Sequence, residues 1–431
     1  MILMANISIM SDLHLGFKRD TEREEDALVA AENAFRKAVD MDSDLVVVAG
    51  DIFDSRLPRP EYWSKFMNMI SSADGTKNIE VEKTTGRGDV SKEVFDGIPV
   101  VAVHGTHERR TNKQKNSIEA MEKAGFLIHL HCSSVELKVG DEKVGIHGMG
   151  GVPERYSKEI LKKWNPEPFE DAYNIFVIHQ DLKQYIYNPV SPPDLGLEDL
   201  PGGFDLYVSG HIHWKDKQKV NGKPFIIPGS LIPTQLKKKD SETPKGFYNI
   251  STQKDDIEFV EIEVPREFVY KKIELTDADE REIEKKISSL LEDIPENSEK
   301  KPLVRIKTTG NLQRGLTSSD IDLSRIEEKY SERALISFSE NLKEDNTEGK
   351  KQSFEKTREN RLSVDEMGMN ILHKKMDELG IDISPDEIFE DLAEGKIEAA
   401  MEKMEDKETK DHEEERNAQR SEEAEKEWWV K

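Results

Sequence analysis

Leu45-Val46-Val47-Val48-Ala49-Gly50-Asp51-Ile52-Phe53-Asp54 is the stretch on which the fold turns. The run at 45–49 is short, apolar and rich in Val, which suits a buried strand. Gly50 then lets the backbone turn sharply, and two carboxylates follow. In open α/β sheets, sites form where strands end.

The same design recurs along the first half. Short apolar runs lie at 7–10, 98–103, 144–146, 175–178, 206–208 and 225–227. Between them the spacing predicts helices at 25–39, 60–70 and 114–124; in the first, Leu28, Ala31, Phe35 and Val39 fall three or four apart. Strands alternating with helices indicate an α/β fold. Residues 74–96, with Gly, Thr and mixed charges, read as a surface loop or insertion.

Several strand ends carry side chains that bind metals. They lead into Asp12-Leu13-His14, Gly50-Asp51 with Asp54, His104-Gly105-Thr106-His107-Glu108, His179, and Gly210-His211-Ile212-His213. Alternation along an extended segment would put Asp12 and His14 on one side, and His211 with His213. Gly50, Gly105 and Gly210 would let the chain turn at each rim. A single Asp-x-His or His-x-His is more often surface chemistry or a satisfied core histidine. Five such pieces, each after an apolar strand, outweigh that reading. Histidine and carboxylate without thiolate suit Mn, Fe or Zn better than Ca or Mg. The ligands suffice for two ions, and a shared Asp can bridge ions about 3.5–4 Å apart.

Composition bounds the rest. The chain has 431 residues and a formal net charge of −25. Its single cysteine, Cys132, excludes an intrachain disulfide and a cysteine zinc site, and fits a reducing compartment. No apolar run approaches the ~18 residues of a membrane span. The N-terminus reads as a strand rather than a targeting segment, so a cytoplasmic location is expected. The acidic balance argues against nucleic acid. Residues 1–250, however, hold 38 acids against 32 bases, whereas residues 251–431 hold 50 against 31. Bases also cluster near the histidines: Arg109, Arg110, Lys113 and Lys115; Lys215, Lys217 and Lys219; Lys237, Lys238 and Lys239. They could meet a phosphate backbone or simply blunt a sheet edge.

After 262 the pattern changes. Strands are expected at 268–275, 302–307 and 334–338, with helices from Thr276-Asp277 to 291 and at 320–330, making a small α+β unit. A polar linker follows. Then Ser363-Val364-Asp365-Glu366 and Ser384-Pro385-Asp386-Glu387 form two capping boxes, each opening an amphipathic helix. So small a pair must dock, either on the chain's own body or on a partner. The expected organisation is 1–262, 263–340, linker 341–362, helix pair 363–404 and charged tail 405–431.

Asp-x-His, Gly-Asp-x-x-Asp, Gly-x-His-Asp/Glu, a later His and Gly-His-x-His together resemble the calcineurin-type metallophosphoesterases. Within them the sequence resembles the archaeal Mre-eleven nucleases, counterparts of bacterial SbcD, which work with the Rad-fifty ATPase in double-strand break repair. The likeness is strong up to about Tyr248, including Pro228-Gly229-Ser230, and weaker beyond. It implies a β-sandwich flanked by helices, a DNA-capping domain and an ATPase-binding helix pair. It implies two Mn²⁺ per subunit. Asp12, His14, Asp51 and His213 would hold one, and Asp51, Thr106, His179 and His211 the other, with Asp51 as bridge. His107 would sit by the scissile phosphate. The implied activities are 3′→5′ exonuclease and single-strand endonuclease on DNA ends. The implied assembly is a homodimer through helices of the first domain, and a heterotetramer with two ATPase subunits.

One departure matters. The family usually has Gly-Asn-His-Asp where this chain has Gly105-Thr106-His107-Glu108. A Thr hydroxyl is shorter than an Asn carbonyl and a poorer donor. Weaker binding of the second ion is therefore expected, with water or His104 as substitutes. Asp54 is expected to orient ligands rather than bind. Two other readings stay open: a small-molecule phosphodiesterase on the same fold, and a weakly catalytic scaffold for DNA and the ATPase. The cap unit and the helix pair favour the nuclease over the small-molecule enzyme.

Overall fold

The computed structural model describes residues 5–72, 79–85, 94–95, 97–110, 114–186, 192–252, 256–294, 300–317 and 321–343. The apolar runs of the first half become two sheets packed face to face. One has six strands in the order β14 (Asp256–Glu261), β13 (Gly246–Ser251), β1 (Asn6–Met10), β2 (Leu45–Ala49), β5 (Val100–Val103) and β6 (Ile128–Leu130). The other has eight: β11 (Asp216–Val220), β12 (Lys223–Ile227), β10 (Leu206–Gly210), β9 (Tyr173–His179), β8 (Glu142–Met149), β7 (Ser133–Val139), β3 (Ile79–Thr85) and β4 (Val94–Phe95).

Alternation decides what each strand faces. Ile7, Ile9, Val47 and Val101 meet Ile146, Ile175, Val177 and Val208 between the sheets. Met10, Val46, Val48 and Ala102 point the other way, toward the helices α1 (Asp26–Asp40), α2 (Pro60–Ser71) and α3 (Ser117–Lys123). Both faces are apolar, so β2 is buried throughout. Burying each such Val or Ile contributes about 1.5–3 kcal/mol. On α1, Ala27, Ala31, Ala34 and Phe35 form the apolar stripe. Helix α4 (Glu154–Trp164) covers the outer face of the second sheet, packing Ile160 and Leu161 against residues such as Phe176 and Tyr207.

Strands β1, β2 and β5 run parallel and end at one level, since Met10 faces Val48 and Ala49 faces Val103. In the second sheet β9 and β10 also run parallel, with His179 beside Gly210. The C-terminal ends of both parallel sets thus open on the same rim.

The expected loop at 74–96 is a correction: its described residues include β3 and β4, and β3 pairs antiparallel with β7. Ile79 and Val81 enter the core from β3.

The second unit is β15 (Phe268–Ala278), α6 (Glu280–Glu292), β16 (Leu303–Leu312), α7 (Ser324–Tyr330) and β17 (Leu335–Lys343). Its strands are all parallel, so both connections are crossovers, and α6 and α7 supply them. The expected helix start at Thr276-Asp277 is wrong. β15 runs on through a register shift to Ala278, and Asp279 caps the helix by accepting from Glu282 N at 2.8 Å. β17 continues to Lys343, three residues into the expected linker. The helix pair 363–404 and the tail 405–431 lie outside the described residues.

Arg266 joins the two units. Its Nε lies 3.0 Å from both carboxylate oxygens of Asp26, and its other nitrogens donate to the carbonyls of Lys301 and Glu22. Arg23 approaches the same carboxylate at 3.4 Å and donates to Pro233 O.

Candidate metal centre

The segment after β1 runs beside the segment after β2. Asp12 N donates to Gly50 O (3.0 Å), His14 N to Asp51 O (2.9 Å) and Leu15 N to Ile52 O (2.8 Å). Asp12, His14 and Asp51 all have φ near +50°, and His211 has φ +75°. The expected extended alternation is therefore corrected: left-handed turns bring the side chains inward. Such backbone costs of order 1–3 kcal/mol per residue and collects at functional sites. Gly50 does turn with positive φ. Gly105 and Gly210 serve close approach instead. A Cβ would stand 2.0 Å from Asp51 Oδ1 at the former and 1.9 Å from Ala49 O at the latter.

The seven expected ligands and His107 meet at this rim. Among the described residues, three groups gather ligand atoms within 4.8 Å: Asp12, His14 and His213; His14, Asp51 and His107; Asp51, His179 and His211. Asp51 lies in two of them. His14 Nε2 faces His213 Nε2 at 3.2 Å, and Asp12 Oδ1 is 3.6 Å from the same His213 nitrogen. On the other side Asp51 Oδ2 is 3.2 Å from His179 Nε2 and 3.4 Å from Thr106 Oγ1. Thr106 Oγ1 is 3.5 Å from His211 Nδ1. Asp12 Oδ1 and His179 Nε2 are buried without a hydrogen-bond partner. Orphaned buried atoms of this kind fit cations, so the residues suit a metal centre.

Electrostatics agree. Burial alone would raise the Asp51 carboxyl, but His179 and His14 hold it well below the usual range. Burial disfavours a charged His179, yet Asp51 outweighs it and lifts the imidazole to about 9. His14 is likewise raised, its burial outweighed by Asp54 at 3.1 Å from Nδ1 and by Asp51 and Asp12. Burial, then His14 and His211, depress His213.

Three of the histidines are braced from behind. His179 Nδ1 bonds Ala49 O at 2.7 Å, and His213 Nδ1 bonds Thr234 Oγ1. Asp54 Oδ1 lies 3.1 Å from His14 Nδ1, and the Asp54 carbonyl lies 3.0 Å from His107 Nδ1. The His107 side chain is 42% exposed and open to a substrate. His104 does not substitute at position 106. It is drawn into another buried cluster, with its Nδ1 3.0 Å from His129 Nε2 and its ring 4.7 Å from His131.

Sequence reasoning missed three supports. Glu108 is fully buried and accepts from Gly105 N (2.7 Å) and Phe53 N (2.8 Å), tying two ligand loops together. Burial and then Asp51 push its carboxyl up to about 7. Lys245, paired with Asp240 at 2.7 Å, donates to His213 O at 2.9 Å. Asp181 Oδ1 lies 2.6 Å from His211 Nε2. Glu108 closes the Gly105-Thr106-His107-Glu108 motif and Asp181 follows the end of β9 by two residues, whereas Lys245 lies outside every motif.

The basic clusters sit on the same domain. Lys217 and Lys219 are exposed on the edge strand β11, and Lys217 donates to Ile257 O. Lys237 and Lys239 lie over the ring of Trp214, next to His213.

Two sheets sandwiched between helices, with His and Asp ligands at the parallel strand ends, define a metallophosphoesterase domain. Residues 5–215 match the family of calcineurin-like phosphoesterases, a fold that implies a dimetal site, and the ligand groups at this rim are candidates for it. The chain is similar to the "DNA double-strand break repair protein Mre11" of Methanopyrus kandleri, 28% identical over 60% of this chain and 57% of that one. It is similar to the human "Double-strand break repair protein MRE11", 24% identical over 70% of this chain and 50% of that one. The Mre11 of Methanosarcina mazei is 28% identical over 72% and 46% respectively. The chain spans about half the length of the curated relatives it matches. No helix among the described residues is long and apolar enough to cross a membrane.

Proposed function

We propose that this protein is a two-metal DNA nuclease that processes DNA ends for double-strand break repair. The observation that carries the reading is the pair of ligand groups on either side of Asp51. The similarity to repair proteins supports DNA over a small phosphodiester, because it covers 60–72% of the chain and so extends beyond the domain at 5–215.

In this reading Asp12, His14, Asp51 and His213 hold one Mn²⁺, and Asp51, Thr106, His179 and His211 the second. Two ions so placed supply Lewis-acid polarisation of the phosphoryl group and activation of water. His107 has its backbone N–H fixed on Asp51 Oδ1 at 2.9 Å and its side chain exposed. It meets the scissile phosphate and gives a proton to the leaving oxygen. The lysines beside Trp214 and on β11 take the DNA backbone. The activities are 3′→5′ exonuclease and single-strand endonuclease.

The units are a nuclease domain to 262, a DNA cap that ends at Lys343, and an ATPase-binding helix pair at 363–404. The working assembly is a homodimer of this chain with two Rad-fifty-type ATPase subunits, at the nucleoid. Leu57, 71% exposed and three residues before α2, is an apolar contact available to such a dimer.

The test is digestion of end-labelled duplex DNA with Mn²⁺, with and without the ATPase. Wild type should shorten the label, and His107→Ala should lower the rate about 10²–10⁴-fold. Hydrolysis of a small phosphodiester with DNA left intact would refute the nuclease reading.

A further inference from the structure

His211 stands between two side chains of opposite effect on a ligand. On one side is Thr106, a hydroxyl where the resembling motif offers an amide oxygen. On the other is Asp181, a carboxylate outside every motif. The two ring nitrogens divide them: Nδ1 is 3.5 Å from Thr106 Oγ1, and Nε2 is 2.6 Å from Asp181 Oδ1. The nitrogen turned away from Asp181 thus faces the position shared with Asp51 and His179.

The backbone delivers Asp181 to this place. β9 ends at His179, and Gln180 is pinned through its amide to Gly150 O at 2.9 Å. The next residue is Asp181, whose side chain is about one-fifth exposed at 21%. A carboxylate on the far nitrogen of a ligating histidine has three effects. It keeps the proton on that nitrogen, frees the near lone pair, and makes the ring a stronger donor.

Resting on the two-ion reading above, we propose that Asp181 is a positioning residue for the second ion, and that it offsets the weak donor at Thr106. It contacts neither substrate nor reacting atoms. Its role is to make His211 a better ligand where position 106 is a worse one.

The experiment is Mn²⁺ titration of the full chain by calorimetry, with metal stoichiometry and the paramagnetic resonance signal of coupled Mn²⁺ pairs. Five proteins are compared: wild type, Asp181→Asn, Asp181→Glu, Thr106→Asn and the double variant Asp181→Asn with Thr106→Asn. Wild type should take two ions with unequal affinity. Asp181→Asn should leave the first ion unchanged, weaken the second by about 10–100-fold and erase the coupled-pair signal at concentrations that saturate wild type. In the Thr106→Asn background the same change should cost less, because the amide oxygen now shares the work. Asp181→Glu should recover part of the signal. Unchanged second-ion affinity in Asp181→Asn would overturn the inference and leave the two-ion reading standing. Equal weakening of both ions with a lower melting temperature would also overturn it, since that marks a general structural role. Uptake of fewer than two ions by wild type would overturn the two-ion reading and the inference together.

Discussion

At the residue scale, the centre is held by close approach as much as by its ligands. Gly105 touches Asp51 so tightly that a methyl group has no room. Gly105→Ala should therefore displace Asp51 and lower metal uptake at both positions, roughly tenfold or more, while the circular dichroism of the fold persists. Uptake equal to wild type would show that Asp51 tolerates the shift. The candidate site residues were legible as a set: Asp12, His14, Asp51, Thr106, His107, His179, His211 and His213 all follow apolar runs in the sequence. Glu108 and Lys245 were not legible as supports. The contacts that give them that role, Glu108 with Phe53 N and Lys245 with the carbonyl of His213, join residues 55 and 32 apart in the chain.

At the element scale, three adjacent strands are stitched by one buried histidine. His147 on β8 bonds Ser134 on β7 at 2.7 Å and Asn174 on β9 at 2.9 Å. Burial lowers its pKa to about 4, against about 6.5 in an unfolded chain. Between those values the unfolded state binds the extra proton, so stability falls as pH drops from 6.5 toward 4. The loss attributable to His147 reaches about 3 kcal/mol. Urea midpoints of metal-free protein should fall between pH 7 and pH 5, and His147→Gln should show a smaller fall. Helix α5 (Lys238–Glu242) offers a second test, because Asp240 and Lys245 form a buried pair against the His213 loop. Lys245→Met should cost about 3–5 kcal/mol by stranding Asp240, and adding Asp240→Leu should restore part of it in thermal denaturation. Elements built from Val and Ile, such as β2, were readable to the residue. β3 and the last three residues of β15 were not, because polar side chains on a half-solvated strand carry little periodic signal.

At the scale of the whole molecule, the phosphoesterase domain and the parallel unit beyond it share a buried joint. Asp26 on α1 accepts from Arg266 in the connecting segment and lies close to Arg23. Removing one partner of such a network leaves uncompensated charge. Asp26→Ala should separate thermal unfolding into two transitions, the parallel unit melting apart from the sandwich. A single cooperative transition at the wild-type temperature would show that the joint is not what couples them.

The pairing of β13 with β1 has a consequence during synthesis. β1 lies in the interior of its sheet, yet one of its two neighbours is encoded about 240 residues later, as Ile7 meets Ile250. Until the ribosome has released residues 246–251, β1 is a bare edge offering unpaired amides to other nascent chains. His213 likewise cannot join Asp12 early. A product cut at residue 215, where the match to the calcineurin-like phosphoesterase family ends, should collect in inclusion bodies, whereas one cut at 262 should stay in the supernatant. Evenly soluble products from both would mean that the sheet closes without its last two strands.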